Sequence, residues 1–341
     1  MSLVTDPSPL DDFRALARAP RPDHSDALRA TRAREAQLTK PAGSLGRLES
    51  IAEWLTAVTG KTPPTVDRPR VVVFAASHGV AERGVSAYPS SVNAQMLANF
   101  RAGKAAINQI CGAYGIGLSV FDLAVDMPTG DIAVEDAFTS ERDTAATLAF
   151  GLEAIANDVD LLGLGEMGIG NTTVAAALCC AILGGTGGDW AGPGTGVAGE
   201  ALARKAAVID QAVERVAGER DPLVLLRRIG GREIAAMAGA ILAARMQGVA
   251  VVVDGFVATA AAVVVDAMGP GTIEHCIFAH RSAEPAHVRA LDALGADPVL
   301  DLGMRLGEGT GAALAMGIVK AAAACHSGMA TFAEAGVDGP A

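Results

Sequence analysis

The sequence is poor in aromatic residues, at 4%, and in charge, at 19%, against 50% apolar residues over a length of 341. That balance excludes intrinsic disorder as a description of the chain. Basic residues are outnumbered 27 to 38, the net charge is −11 and the isoelectric point is near 5.0. No basic run occurs, which argues against a nucleic-acid partner. A phosphate ligand would need a local device, such as backbone N–H groups. Long apolar runs are missing too, although the mean hydropathy is +0.33. A membrane-spanning helix needs about 20 uninterrupted apolar residues. The richest stretch, 234–268, is broken by Arg245, Gln247, Asp254 and Asp266, and its longest clean piece, 256–265, is too short. The opening MSLVTDPSPLDDF has neither a basic nor an apolar leader region, so a cytoplasmic location is expected. Cys111, Cys179, Cys180, Cys276 and Cys325 are scattered, with no CxxC or Cys/His metal spacing, and read as buried reduced thiols.

What is present is an alternation of short apolar runs and longer helical patterns. The segment before residue 60 reads as at least two helices punctuated by Pro41 and Gly43, with an amphipathic face from Leu45 to Leu55. A breaker-rich linker spans 60–69. Strands are predicted at 71–76, 118–125, 160–164, 249–254, 276–279 and 298–302. Helices are predicted at 92–114, 144–156, 173–183, 200–216, 233–246 and 286–294. Continuous apolar strands alternating with helices indicate an α/β fold with a doubly wound, mainly parallel sheet of about six strands. A last Ala-rich helix at 311–335 is expected to join the N-terminal helices in a small helical domain. The division so predicted is 1–69, 70–304 and 305–341, the last part carrying an active-site turn.

Ligands of such sheets bind beyond the carboxyl ends of the strands. Gly163-Leu-Gly165-Glu-Met-Gly168 matches GxGxxG, but its first glycine lies inside a strand and no ribose-binding acid follows at a strand end, which argues against a dinucleotide fingerprint. The strand is instead expected to end near Gly165. A turn through Glu166, Met167, Gly168 and Gly170 would follow, with Asn171 and Thr172 opening a helix. A glycine-lined helix N-terminus suits a phosphate. Gly-rich turns recur at Gly192–Gly196 and Gly307–Gly311, and neither is a Walker A loop. Glu308, between two glycines, has an accessible carboxylate. In the segment 279–287, Pro285 separates His280 from His287, which disfavours a zinc site and leaves Ser282 as a candidate phosphate or ribose contact. Asp254 reads as an ordinary strand-end acid.

Together, TKPAGSLGRLE (39–49), SHGVAERGVSAYPSSV (77–92), GEMGIGNTT (165–173), GTG (194–196), LARK (202–205), DGFVATAA (254–261), HRSAEPAH (280–287), DLGMRLGEGTGAALA (301–315) and MATFAEAGV (329–337) carry a resemblance. The chain resembles the nicotinate-nucleotide:5,6-dimethylbenzimidazole phosphoribosyltransferases, the CobT family of cobalamin lower-ligand assembly. It departs from the family's usual pattern at Ser77, Pro193 and Arg232. The resemblance implies a cytoplasmic homodimer that uses no cofactor or metal. It implies transfer of 5-phosphoribose from nicotinate mononucleotide to 5,6-dimethylbenzimidazole, giving α-ribazole 5′-phosphate and nicotinate. It makes Glu308 the general base, with Glu166 at the ribose. Gly168, Gly170, Asn171, Thr172, Gly194, Thr195, Gly196, Lys205 and Ser282 become phosphate candidates, and Ser77, Tyr88, Met167 and Leu306 base-pocket candidates.

Overall fold

The computed structural model describes residues 8–155 and 159–339. Helices α1 (Asp11–Arg18), α2 (Ser25–Glu35) and α3 (Arg47–Thr59) open the chain. Strand β1 (Pro69–Ala75), helices α4 (Val92–Arg101) and α5 (Ala106–Tyr114) and strand β2 (Gly117–Asp122) follow. Next come α6 (Glu141–Ala154), β3 (Leu161–Met167), α7 (Asn171–Leu183), the short α8 (Gly187–Trp190), α9 (Glu200–Arg215), α10 (Pro222–Ile229) and α11 (Arg232–Gln247). The chain ends with β4 (Ala250–Val253), α12 (Phe256–Asp266), β5 (Cys276–Phe278), α13 (Pro285–Ala293), α14 (Thr310–Gly328) and the short α15 (Phe332–Ala335).

The strands form one parallel sheet in the order β2-β1-β3-β4-β5. Side chains alternate across it, as the two-residue period of a strand requires. Val72, Phe74, Leu162, Leu164, Val251 and Val253 join α6, α7, α11 and α12 in one core. Val71, Val73, Leu161, Ala250 and Val252 join α3, α5 and α14 in the other. Both faces are therefore covered, the doubly wound arrangement the apolar strands predict. From β1 the chain adds β2 on one side and then returns to place β3 on the other, so the topological switch lies between β1 and β3.

Several boundaries differ from expectation. Among the described residues the sheet has five strands. Segment 298–302 contributes only an isolated parallel bridge between Leu300 and His280, because Pro298 has no N–H to donate and the chain turns to solvent from Asp301. β3 runs on to Met167, placing Glu166 on the strand opposite Phe74. The helix predicted at 92–114 is two, parted at Gly103 with φ +69°. The helix predicted at 311–335 breaks at the extended Met329, and the Thr331 side chain caps α15. Ala156, the predicted end of another helix, lies outside the described residues. Leu38 bridges Thr331 and α14 packs on α3, bringing the two ends of the chain together. α1 packs instead on α11. Helices α6 and α11 meet backbone to backbone: a Cβ on Gly151 would fall 1.9 Å from the Ala236 carbonyl, and one on Gly239 2.0 Å from that of Leu148. No described helix is long and apolar enough to cross a membrane.

Candidate active site

A cleft of about 670 Å³ opens beyond the carboxyl ends of the strands, beside the switch point. Tyr88, Val92, Met96, Met167 and Leu306 make its walls apolar, while Asn171, Thr172, Gly194, Thr195, Ser282, Glu284 and Arg305 supply polar groups. Two further carboxylates, Glu166 and Glu308, line it besides that of Glu284.

Glu308 sits in a turn of unusual backbone. Gly307, Glu308 and Gly309 have φ of +84°, +62° and +82°. A left-handed non-glycine residue is strained, and its neighbours hold it there. Its N–H donates to the Glu166 carbonyl at 3.2 Å, Gly309 N–H to the Asp254 carboxylate at 3.1 Å, and the Thr310 hydroxyl to the Gly307 carbonyl at 2.8 Å. Glu308 is 5% exposed, and its Oε2 has no hydrogen-bond partner among the described residues. Burial raises its proton affinity, opposed by the Ile107 N–H from the first turn of α5 and reinforced by Asp254.

The glycines of the GxGxxG stretch serve packing. A Cβ on Gly163 would meet Met316 of α14 at 2.8 Å, and one on Gly165 would meet the backbone of Gly309 and Glu308 at 2.6–2.7 Å. They let α14 and the Glu308 turn lie directly on β3. Glu166, one residue on, accepts a short hydrogen bond from the Asn171 amide. Burial, with the Glu233, Asp254 and Glu308 carboxylates adding to it and Asn171 opposing, pushes Glu166 up to about 8.

Gly170, with φ +88°, is the residue that precedes and caps α7; Asn171 and Thr172 lie inside the first turn. Thr172 belongs to a buried polar cluster at the far side of the cleft. Lys205 of α9, 1% exposed, donates to the Thr172 hydroxyl and to the Gly192 carbonyl, both at 2.8 Å. Glu284 accepts a short bond from the Gly194 N–H, and Arg305 donates to the Gly194 carbonyl at 2.9 Å. Gly192 has no room for a Cβ, which would fall 1.8 Å from the Glu284 carboxylate. Burial pushes the Lys205 ammonium down to about 8, with Glu284 opposing that shift.

Of the residues predicted from sequence, Glu166, Glu308, Tyr88, Met167, Gly168, Asn171, Thr172, Gly194, Thr195, Ser282 and Leu306 line this one cleft. Lys205 and Gly170 lie immediately behind it, and Gly196 completes the 193–197 turn. Ser77 is not on its surface: it is 2% exposed, donates to the Val125 carbonyl at 2.6 Å and accepts from Asn93 at 2.7 Å. Sequence reasoning missed Glu284 and Arg305. The Glu284-Pro285 step was the available signal for Glu284, since proline at a first helical position points to a cap before it. Asp254 does more than end a strand. Its carboxylate accepts from the N–H groups of Gly309 and Ala312, at 3.1 and 2.8 Å, and so anchors the Glu308 turn. His280 and His287 do not converge on a metal: His287 accepts from the Ser282 N–H at 3.1 Å and pairs with the Thr259 hydroxyl at 2.9 Å.

A family model described as phosphoribosyltransferase matches residues 20–337. A nicotinate-nucleotide–dimethylbenzimidazole phosphoribosyltransferase from Sinorhizobium fredii is 63% identical over 331 residues, 96% of this chain and 97% of its own length. The one from Rhizobium etli is 61% identical over 333 residues, 97% of this chain and 98% of its own. The crystal structure of CobT from Thermus thermophilus superposes with a TM-score of 0.86 at 42% identity, covering 92% of this chain and all of that one. With its cleft, its glycine turns and these relatives in agreement, the chain belongs to the nicotinate-nucleotide–dimethylbenzimidazole phosphoribosyltransferase family.

Proposed function

We propose that this chain transfers 5-phosphoribose from nicotinate mononucleotide to 5,6-dimethylbenzimidazole, releasing nicotinate and α-ribazole 5′-phosphate. The observation that carries the reading is the placement of Glu308. It is a strained, buried carboxylate with a free oxygen, in the wall of a cleft whose other side holds a helix N-terminus and a buried lysine.

The leaving nicotinate is a pyridinium in the substrate and departs with a neutral ring nitrogen, so it needs no general acid. The attacking benzimidazole nitrogen bonds to ribose C1′, the ring becomes cationic, and its remaining N–H turns acidic. Glu308 takes that proton. Its burial among Asp254 and apolar walls raises its affinity for it. Tyr88, Met167 and Leu306 supply flat apolar surface for the base. Attack opposite the departing ring inverts β to α at C1′. Glu166 stands at the ribose, where its carboxylate offsets charge developing at C1′. The phosphate, held by Lys205, Ser282 and the backbone of residues 168–172 and 194–196, positions C1′ from a distance. The partition at residues 69 and 304, a homodimeric assembly and a cytoplasmic location belong to the same reading.

Chromatography and mass spectrometry of a mixture of the protein, nicotinate mononucleotide and 5,6-dimethylbenzimidazole test it. α-Ribazole 5′-phosphate should form with or without a chelator. Glu308→Gln should lose about 10²–10⁴-fold in turnover while still binding the mononucleotide in calorimetry. Turnover near wild type would remove Glu308 as the base.

A further inference from the structure

Two loops meet at the rim of the cleft. One is formed by residues 85–91, ahead of α4, and the other is the 193–197 turn. The Thr195 hydroxyl accepts from the Ala87 N–H at 3.1 Å and pairs with the Ser86 hydroxyl at 3.1 Å. Ser86 Oγ in turn accepts from the Tyr88 N–H at 3.2 Å. Among the described residues, the two bonds to Thr195 are the only hydrogen bonds that tie residues 85–91 to any segment outside 82–95. Val85 is buried and anchors one end of the loop. At the other end Pro89 restricts Tyr88 to extended backbone. Tyr88 itself lines the cleft yet is 55% exposed, so packing holds its ring weakly. What remains to place it is the hydrogen bonding at Ser86 and Ala87.

The Thr195 end is held from beneath. Gly194 gives its N–H to Glu284, and its carbonyl accepts from Arg305 at 2.9 Å. The N–H groups of Gly196 and Val197 donate to the Pro193 carbonyl at 2.8 and 2.9 Å. Gly194 has φ +51°, and a Cβ on it would fall 2.9 Å from the Thr172 hydroxyl and 3.2 Å from Lys205 Nζ. The turn is thus seated on the buried polar cluster, while the Thr195 hydroxyl is engaged by the loop that carries Tyr88. A hydroxyl offers one proton and two lone pairs, and Ala87 and Ser86 take two of the three. We propose that Thr195 is a positioning residue: its hydroxyl, rather than contacting phosphate, fixes the Ser86-Ala87-Tyr88 turn and holds the Tyr88 ring over the cleft, where the acceptor base is to lie. The presence of the base there rests on the proposed reaction, but the placement of Tyr88 by Thr195 does not.

Fluorine NMR of the protein labelled with 3-fluorotyrosine tests the placement without substrate. The chain has two tyrosines, so Y88F identifies the Tyr88 resonance and Tyr114 serves as the internal reference. T195V keeps the side-chain shape and removes the hydroxyl. It should move the Tyr88 resonance toward its position in the unfolded chain and leave that of Tyr114 in place, and T195S should restore it. A Tyr88 resonance that stays in place in T195V, or an equal shift at Tyr114, overturns the proposal. Calorimetry reads the consequence for binding. In T195V the Kd for 5,6-dimethylbenzimidazole should rise by about 5- to 20-fold, the loss of one or two exposed hydrogen bonds, and that for nicotinate mononucleotide by less than about twofold. In the Y88A background T195V should weaken base binding no further. A mononucleotide Kd that rises as much as the base Kd would make Thr195 a phosphate contact and overturn the proposal. So would a T195V effect that persists in full in Y88A. A wild-type protein that binds no base, with the NMR shifts as expected, would count against the reaction alone.

Discussion

Replacing Glu166 with glutamine should abolish a proton that leaves the protein when nicotinate mononucleotide binds near pH 7. With its midpoint pushed up to about 8, Glu166 carries about 0.9 proton at pH 7 in the empty cleft. The incoming pyridinium is a cation, and an opposite charge within a few ångströms lowers a carboxyl midpoint by about 1–3 units. A fall of about two units leaves only about 0.1 proton, so about 0.8 is released. Lys205 works in the opposite direction. Its midpoint, pushed down to about 8, rises when a phosphate dianion replaces lost solvation. At pH 7 it is already about 0.9 charged and takes up only about 0.1 proton, but above pH 8 its uptake dominates. Net release should therefore pass through zero near pH 8 and become net uptake above it. Calorimetric titrations in buffers of different ionisation enthalpy read this number directly. Absence of release near pH 7, or the same release in E166Q, would refute the placement of Glu166 at the ribose, beside the cationic ring it carries.

Three further outcomes follow from the same geometry. Lys205→Ala removes a buried charge-assisted contact worth about 1.5–3 kcal/mol, so the mononucleotide Kd should rise by roughly 10- to 100-fold; an unchanged Kd by calorimetry removes Lys205 from the phosphate site. Asp254 is pushed up to about 7 by burial, so the folded state holds its proton over a range where the unfolded chain has lost it, and this contribution to stability disappears as pH rises through 7. Denaturant titrations of Asp254→Asn at about pH 5 and pH 8 should show the variant gaining about 3 kcal/mol on wild type between them, and a parallel pH dependence would contradict that. Gly239→Ala drives a methyl into the Leu148 carbonyl of α6 and should cost about 3 kcal/mol, measured as a lower denaturation midpoint with the slope unchanged; a neutral result would mean the two helices separate freely.

How much of this was legible in the sequence depended on the range of the interaction. The strands of the centre, β1, β3 and β4, announce themselves because a strand covered on both faces must be apolar throughout, and Val71 to Ala75 and Ala250 to Val253 are. The edge was over-read: Val299 and Leu300 look like strand residues, but a proline beside them and solvent after them allow one bridge. Glu166 and Glu308 stood out because glycines surround them. The buried roles did not. Ser77 lies in the turn after β1, yet whether its hydroxyl faced the cleft depended on the carbonyl of Val125, 48 residues away. His78 pairs with Glu233, 155 residues away, and no local pattern encodes that distance. Lys205 sits on an otherwise amphipathic helix, and only the fold reveals that its ammonium is enclosed by Thr172 and Gly192.

The place where local preference and structure disagree most is Glu308. Left-handed backbone is favoured by glycine, and glycine stands on both sides of it with the same sign of φ. A third glycine would relieve strain of about 1–3 kcal/mol, and the turn would still be tied down through Gly309, Thr310 and Ala312. What a glycine could not supply is a buried carboxylate with its Oε2 left without a hydrogen-bond partner among the described residues. The strain is local, while the ties that sustain it come from β3, β4 and α14. A backbone rule broken at one residue, with contacts around it that make the violation tolerable, is the pattern expected where that residue has a function, as the proposed reaction gives Glu308. On the proposed reaction, with Glu308 as the base, this argument predicts that Asp254 acts as a positioning residue. Its carboxylate fixes the turn whose strain keeps Glu308 aimed at the cleft.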